Sequence, residues 1–255
     1  MSKMVIRMIT ERQKELLNFI VREHVKSAEP VGSAFVYEKS NFGVSPATIR
    51  SDMQTLENLG YLAQPHTSAG RVPTEKAYRW FVNTLLSQED YDISTRDKKK
   101  IEDTLMQVGD DPQELNRTAA QVLQELSDSA VIANIKGVRD FYKIGLASLL
   151  EFPEFREFDR IFQLADFFER FDQLFDQMER EIISTLEKDF GFQVFIGSEN
   201  PFQRGRNETV IVAQYNLPQR YTGSLTIIGP TRMDYRRNMG LVNYAAQTLN
   251  KLAQK

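Results

Sequence analysis

Ser45, Ala47, Thr48, Arg50, Ser51 and Gln54 lie close together in the segment SPATIRSDMQTLENLG. At the 3.6-residue period Ala47, Arg50, Ser51, Gln54 and Asn58 share one face, with Thr48 at its margin. Ile49, Met53 and Leu56 share the opposite face. An arginine can donate two hydrogen bonds to guanine, a glutamine can pair with adenine, a serine hydroxyl adapts to several partners, and a small alanine can meet a thymine methyl. The chemistry on offer is recognition of base edges from the N-terminal half of a helix laid in a major groove. The same face would also suit an ordinary solvated helix, so the neighbouring segment has to discriminate between the two.

That neighbour is YLAQPHTSAGRVP, with apolar ends around a polar, glycine-containing tip. It predicts a β-hairpin or wing. Arg71 suits a phosphate or a minor groove, and Thr67, Ser68 and nearby backbone N–H groups suit phosphates. His66 is available to assist, or is simply a solvent-exposed loop residue. Lys14, Arg22 and Lys76 are either further phosphate contacts or ordinary surface charge.

The elements that must position these residues can be read from caps and periodicity. Thr10 is an N-cap, and Leu16, Leu17, Ile20, Val21 and Val25 recur at helical spacing after it. Pro30 and Gly32 break that helix. Ser33 opens a short second one, and Gly43 supplies a permissive turn. Ser45 caps the next helix with Pro46 at its first position, where a missing N–H costs nothing. Thr74 caps a fourth helix after the hairpin. Helix, helix, turn, helix, hairpin, helix is the order of a winged helix-turn-helix, expected over residues 1–88. Residues 89–130 read as a linker and helical segment, interrupted around Gly109 and Asp110-Asp111-Pro112. Residues 131–255 read as α+β. There AVIANI suits a strand and FYKIGLASLL a short helix. Phe158, Ile161, Phe162, Ala165, Phe168, Phe175, Met178, Ile182 and Leu186 form a Phe-rich stripe on one long helix. FQVFIG, TVIVAQY and GSLTIIG are strand-like, and a closing helix completes the chain.

Composition narrows the function classes. A 41% hydrophobic and 26% charged chain of 255 residues is ordinary for a globular protein. The absence of cysteine removes disulfides, thiolate metal sites and cysteine nucleophiles together. No run approaches the about 18 apolar residues of a membrane helix, and no signal peptide is evident, so a cytoplasmic protein is expected. The net charge of −3 divides unevenly: residues 1–87 carry eleven Lys and Arg against eight Asp and Glu, leaving the remainder acidic. A mildly basic front with an acidic rear suits a DNA-binding module joined to a regulatory or oligomerising body. GxxxxGK[ST], GxGxxG after a strand, HExxH and GxSxG are all missing, which argues against an enzyme. His24 and His66 have no partner evident in the sequence, and the carboxylates of EFPEFREFD read as a solvated helix face. No cofactor or metal is expected.

The string from Val31 to Val82 resembles the DNA-binding domain of the heat-inducible transcription repressor family HrcA. SPATIR followed by LE-LGYL-QPHTSAGR-PT-K-YR is close to a family fingerprint, and GLASLLEFPEF, IGSEN and GSLTIIGPTRMDY resemble the family's rear portion. The resemblance implies a homodimeric repressor that binds an inverted-repeat operator in double-stranded DNA upstream of chaperone genes, is released on heat stress, and has the chaperonin GroEL as a partner. It also implies a GAF-like rear domain with a dimerising module inserted in it. Matched by motif, the implied DNA contacts are Ser45, Ala47, Thr48, Arg50, Ser51 and Gln54 on the recognition helix, and His66, Thr67, Ser68 and Arg71 on the wing.

The chain departs from that pattern in the middle, where only the short bridge IKGVRD separates LQELSDSAVIAN from FYKIGLASLLEFPEF. A reduced GAF-like domain is therefore expected at 131–255, and the Phe-rich helix becomes the candidate for a substitute dimer surface, or is core alone. GPTRMDY reads either as an anion site before a helix N-terminus or as a turn in which Pro230 sets the bend, Asp234 caps the helix and Arg232 pairs with an acid such as Glu199. The shortened body also motivates a second functional class, a winged-helix module that docks a chaperone or other protein without reading an operator.

Overall fold

The computed structural model describes residues 9–67, 69–138, 141–173, 191–201 and 208–254. The chain divides into two compact units, Met1–Thr84 and Leu85–Lys255.

In the first unit, α1 (Glu11–Ser27) starts with a capping box. The Thr10 hydroxyl accepts from the Gln13 backbone N–H, and the Gln13 side chain returns a bond to the Thr10 N–H. Leu16, Leu17, Ile20 and Val21 are buried along one face, and Val25 is half-buried. Next come α2 (Ser33–Lys39), with Val36 buried, and α3 (Pro46–Asn58). The two-residue strands β1 (Leu62–Ala63) and β2 (Val72–Pro73) pair antiparallel, and α4 (Glu75–Gln88) comes after them. The buried side chains of α1, of α3 (Ile49, Met53, Leu56) and of the first turns of α4 (Ala77, Tyr78, Phe81, Val82) make up the apolar interior.

The second unit is built on a five-stranded antiparallel sheet in the order β4-β3-β7-β6-β5. Its strands are β3 (Ala130–Ile135), β4 (Phe141–Ile144), β5 (Phe192–Ile196), β6 (Glu208–Asn216) and β7 (Thr222–Pro230). The strands β3, β6 and β7 are buried on both faces along nearly their whole length, including the polar Thr209, Ser224 and Thr226, because helices cover both sides. Two of these are α6 (Pro112–Ser127), packed on β3, and α9 (Tyr235–Leu252), packed on β6, with α5 (Thr95–Met106) against both. The other layer contains α7 (Leu146–Leu150) and α8 (Phe158–Glu169). Leu149, Phe155, Leu164, Phe167, Phe168 and Phe171 pack there on Ala130, Ile132, Val210, Val212 and Ile228. Buried polar groups tie layers together: the Tyr215 hydroxyl donates to Asn116, and burial pushes its pKa well above the ordinary tyrosine range.

Two expectations change here. The run FYKIGLASLL is not one helix. Phe141–Ile144 is a strand paired with Val131–Asn134, and helix begins only after Gly145, whose φ of 86° turns the chain. A Cβ at Gly145 would lie 2.6 Å from the Ser129 carbonyl oxygen, so glycine is required twice over. The long Phe-rich helix is also revised: α8 ends at Glu169, its buried side chains are Leu164, Phe167 and the expected Phe168, with Phe171 buried just beyond its end, whereas the expected Phe158 and Phe162 are 75% and 67% exposed. Both faces of α8 carry phenylalanine, so spacing could not choose between them, and the sheet residues it packs against decide. Phe175, Met178, Ile182 and Leu186 lie outside the described residues.

Candidate nucleic-acid interface

The N-terminus of α3 is fixed by local chemistry. Gly43 takes a φ of 65° in the turn before it, and Ser45 sits at the N-cap. The Ser45 hydroxyl accepts from the Thr48 N–H at 3.3 Å and lies 3.1 Å from the Thr48 hydroxyl, while Pro46 occupies the first helical position. Beyond the cap the helix is two-sided. Ile49, Asp52, Met53 and Leu56 are buried. Ala47, Arg50, Ser51 and Gln54 are exposed along the opposite face, as is Ser45 at its head, with Thr48 half-buried.

Asp52, absent from the sequence-derived set, seats this helix against α1. Its carboxylate accepts from Arg12 Nε at 2.7 Å, Arg12 Nη2 at 3.3 Å and Gln13 Nε2 at 3.1 Å. The bond to Asp52 raises the pKa of the Arg12 guanidinium above its ordinary value. The sequence does hold a signal for it: a carboxylate beside Ile49, Met53 and Leu56 on the inward face must be buried, and a buried charge needs donors. His24, with no partner evident in the sequence, has one in the fold, with its Nδ1 2.8 Å from the Tyr78 hydroxyl.

The hairpin from β1 to β2 is braced at its tip and at its base. At the tip, Gln64 Nε2 donates to the Thr67 and Ala69 carbonyls, both at 3.0 Å, and the Ala69 N–H donates to the His66 carbonyl. His66 and Thr67 are exposed, and Ser68 lies outside the described residues. At the base, Arg71 and Val31 exchange both backbone hydrogen bonds, at 2.8 and 2.9 Å. Gly70 makes that approach possible, since a Cβ there would lie 2.4 Å from the Val31 carbonyl carbon. The Arg71 side chain does not project from the tip. Its Nε donates to Glu57 Oε2 at 2.9 Å, and it is 16% exposed. Lys76 is likewise engaged, donating to the Leu59 carbonyl at 2.7 Å beneath the Tyr61 ring. Lys14 and Arg22 pair locally, with Glu11 and Asn18. A groove of about 520 Å³ runs between these parts, lined by Gly32, Ser33, Arg50, Gln64, Thr67 and Arg71 among others.

The rear signatures FPEF and GPTRMDY, far apart in sequence, meet in the second unit. Arg232 donates through Nε and Nη2 to the Glu154 carboxylate, and its guanidinium lies 5.4 Å from the centre of the Phe152 ring. Glu154 is therefore half-buried and ion-paired in a short 3-10 turn, which corrects the reading of its run as the solvated face of a helix. Asp234 caps α9, accepting from the Arg237 N–H at 3.1 Å, and the Met233 N–H donates to the Pro230 carbonyl to close the turn. The turn and the Asp234 cap match the structural reading of GPTRMDY, but the acid that Arg232 pairs with is Glu154, where that reading offered Glu199 as its example. Among the described residues, no group of three or more His, Cys, Asp or Glu could hold a metal ion. No helix among them is long and apolar enough to cross a membrane.

Similarity to known proteins extends over nearly the whole chain. The heat-inducible transcription repressor HrcA of Thermoanaerobacter sp. is 26% identical over 341 aligned residues, spanning 96% of this chain and 97% of that protein. HrcA of Halalkalibacterium halodurans is 26% identical over 343, spanning 96% and 98%. Both alignments exceed the 255 residues of this chain, so the relatives carry residues that it lacks. A crystal structure of a hypothetical protein at 2.2 Å resolution shares the fold with a TM-score of 0.76 at 20% identity, over 96% of this chain and 99% of that one. The model of the HrcA protein C-terminal domain matches residues 78–239, a span that contains the β3–β7 sheet and the Arg232–Glu154 pair. With well over half of its length matched, the chain belongs to the HrcA family.

Proposed function

We propose that residues 1–88 form a winged helix-turn-helix that lays α3 in the major groove of duplex DNA while its hairpin tracks the flanking backbone. The carrying observation is the two-sidedness of α3, which buries Ile49, Asp52, Met53 and Leu56 and leaves Ala47, Arg50, Ser51 and Gln54 exposed. The relatives' name, heat-inducible transcription repressor, supports the wider reading. On that reading the chain is a cytoplasmic, non-enzymatic, sequence-specific repressor of heat-shock (chaperone) genes.

Ser45 and Thr48 stand at the head of the recognition helix, and Ala47, Arg50, Ser51 and Gln54 meet base edges or the adjoining phosphates. His66 and Thr67 belong to the tip of the wing, with Arg71 at its base, and Ser68 is kept as a DNA contact on the strength of the motif alone. Residues 89–130 connect this part to a reduced GAF-like regulatory and dimerisation domain at 131–255. Two copies place their recognition helices in half-sites of an inverted-repeat operator, about 34–36 Å apart or a multiple of that. Heat weakens the dimer and releases the operator, and the chaperonin GroEL is a partner in this control.

The test is binding of the protein to an inverted-repeat duplex from upstream of the host's chaperone operons, against a scrambled duplex, across a range of salt. The inverted repeat is expected to bind more tightly, with affinity falling steeply as salt rises because phosphate contacts release counterions. Arg50→Ala is expected to cost about 1–3 kcal/mol and to relax base preference at one position. Equal affinity for the two duplexes at physiological salt would refute specific repression.

A further inference from the structure

We infer that Glu57 is a positioning residue, and that Glu57 and Arg71 form a strut holding the wing, so that Arg71 acts on DNA through the wing's placement and not as a phosphate ligand. The inference rests on the reading of this unit as a DNA-binding winged helix and assigns a role within it. Three observations carry it. Arg71 Nε donates to Glu57 Oε2 at 2.9 Å, with the two side chains only 16% and 30% exposed. Glu57 belongs to the last turn of the recognition helix, so the pair joins that helix directly to the base of the wing. Finally, the Arg71 backbone is bonded in both directions to Val31, with Gly70 admitting the close approach, so the residue is anchored on two sides. A guanidinium that left Glu57 for a phosphate would break the ion pair that ties α3 to the wing. Of the two arginines that line the groove between helix and wing, Arg50 is the exposed one.

The strut and the phosphate ligand give opposite signs on the same substitution. If Arg71 were a phosphate ligand and Glu57 a bystander, Glu57→Gln would remove a competing negative charge, tighten DNA binding and steepen its salt dependence. If the pair is a strut, Glu57→Gln weakens binding about fivefold, the scale of a partly exposed ion pair, and leaves the salt slope unchanged. Arg71→Gln gives a similar loss, again without the fall of about 0.9 in slope that accompanies a lost phosphate contact. The double variant is no worse than either single one.

Both variants are also measured without DNA, by amide hydrogen exchange in the full chain. The mutually bonded amides of residues 31 and 71 are expected to exchange on the order of fivefold faster, with Val21 in α1 unchanged. Tighter DNA binding by Glu57→Gln, a reduced slope for Arg71→Gln, or unaltered exchange at residues 31 and 71 would each overturn the strut. If the unaltered protein shows no preference for the inverted repeat while the exchange result holds, the operator reading fails and the strut stands.

Discussion

At the scale of single residues, the placement of the exposed face of α3 depends on a side chain that is not on it. Asp52 accepts from Arg12 and Gln13, and Gln13 is itself 9% exposed and part of the capping box that starts α1. One carboxylate therefore fixes both the seat of α3 and the first turn of the helix beneath it. Asp52→Ala leaves the Gln13 amide short of an acceptor, which is expected to cost about 1–3 kcal/mol, whereas Asp52→Asn keeps an acceptor and costs less. Trp80 is the only tryptophan and lies in the same unit, so its fluorescence in a urea titration reports this loss. An unchanged midpoint for Asp52→Ala would mean that the network does not hold the helix. Ser45, Pro46 and Gly43 could be placed from sequence because their partners lie within a few residues. The partners of Asp52 lie about forty positions away, and Glu57 reaches Arg71 only after the chain has turned through the hairpin.

At the scale of elements, the capped helices and the strands in AVIANI, FQVFIG, TVIVAQY and GSLTIIG were legible, and strand β4 and the inward face of α8 were not. The starts of α1 and α3 follow from Thr10 and Ser45, each of which accepts from an N–H group of its own helix, whereas Asp111, read as part of an interruption, turns out to cap α6. Strand β4 has no such signature: FYKI is a strand because β3 lies beside it. The inward face of α8 depends on the sheet residues it meets, which sequence spacing does not contain.

The contact between α5 and α9 offers a test of element packing. The Tyr244 hydroxyl donates to Glu102 at 2.5 Å, and that bond, with smaller contributions from burial and nearby carboxylates, lifts its pKa to about 12. A folded-state value above the ordinary 10 favours the protonated form in the native protein. The stabilisation is therefore complete below pH 10 and is lost as pH rises from there towards about 12. Tyr244→Phe is expected to flatten the pH dependence of stability in that window relative to the unaltered protein. Chemical denaturation at stepped pH checks it, and identical slopes for the two proteins would remove the contact from the account.

For the whole molecule, the basic front and acidic rear correspond approximately to the two compact units, Met1–Thr84 and Leu85–Lys255. If two copies are joined through the rear part, the second recognition helix binds at a high effective concentration, and operator affinity exceeds that of one half-site without any new contact. Dimer fraction by sedimentation and operator occupancy are then expected to fall together, both on heating and on dilution. Occupancy that persists in a monomeric sample would separate repression from dimerisation.

The hairpin between β3 and β4 bears on how such a body tolerates changes in length. Asn134 on one strand lies directly opposite Phe141 on the other, so the chain leaves the sheet and re-enters it at adjacent points, roughly a strand spacing apart. A segment of almost any length can begin and end at such a gate while the registers of β3 with β4 and with β7 stay as they are, because the cost of loop closure grows only slowly with length. On these terms, lengthening or shortening the connection between Asn134 and Phe141 is expected to leave the surrounding strands with their partners.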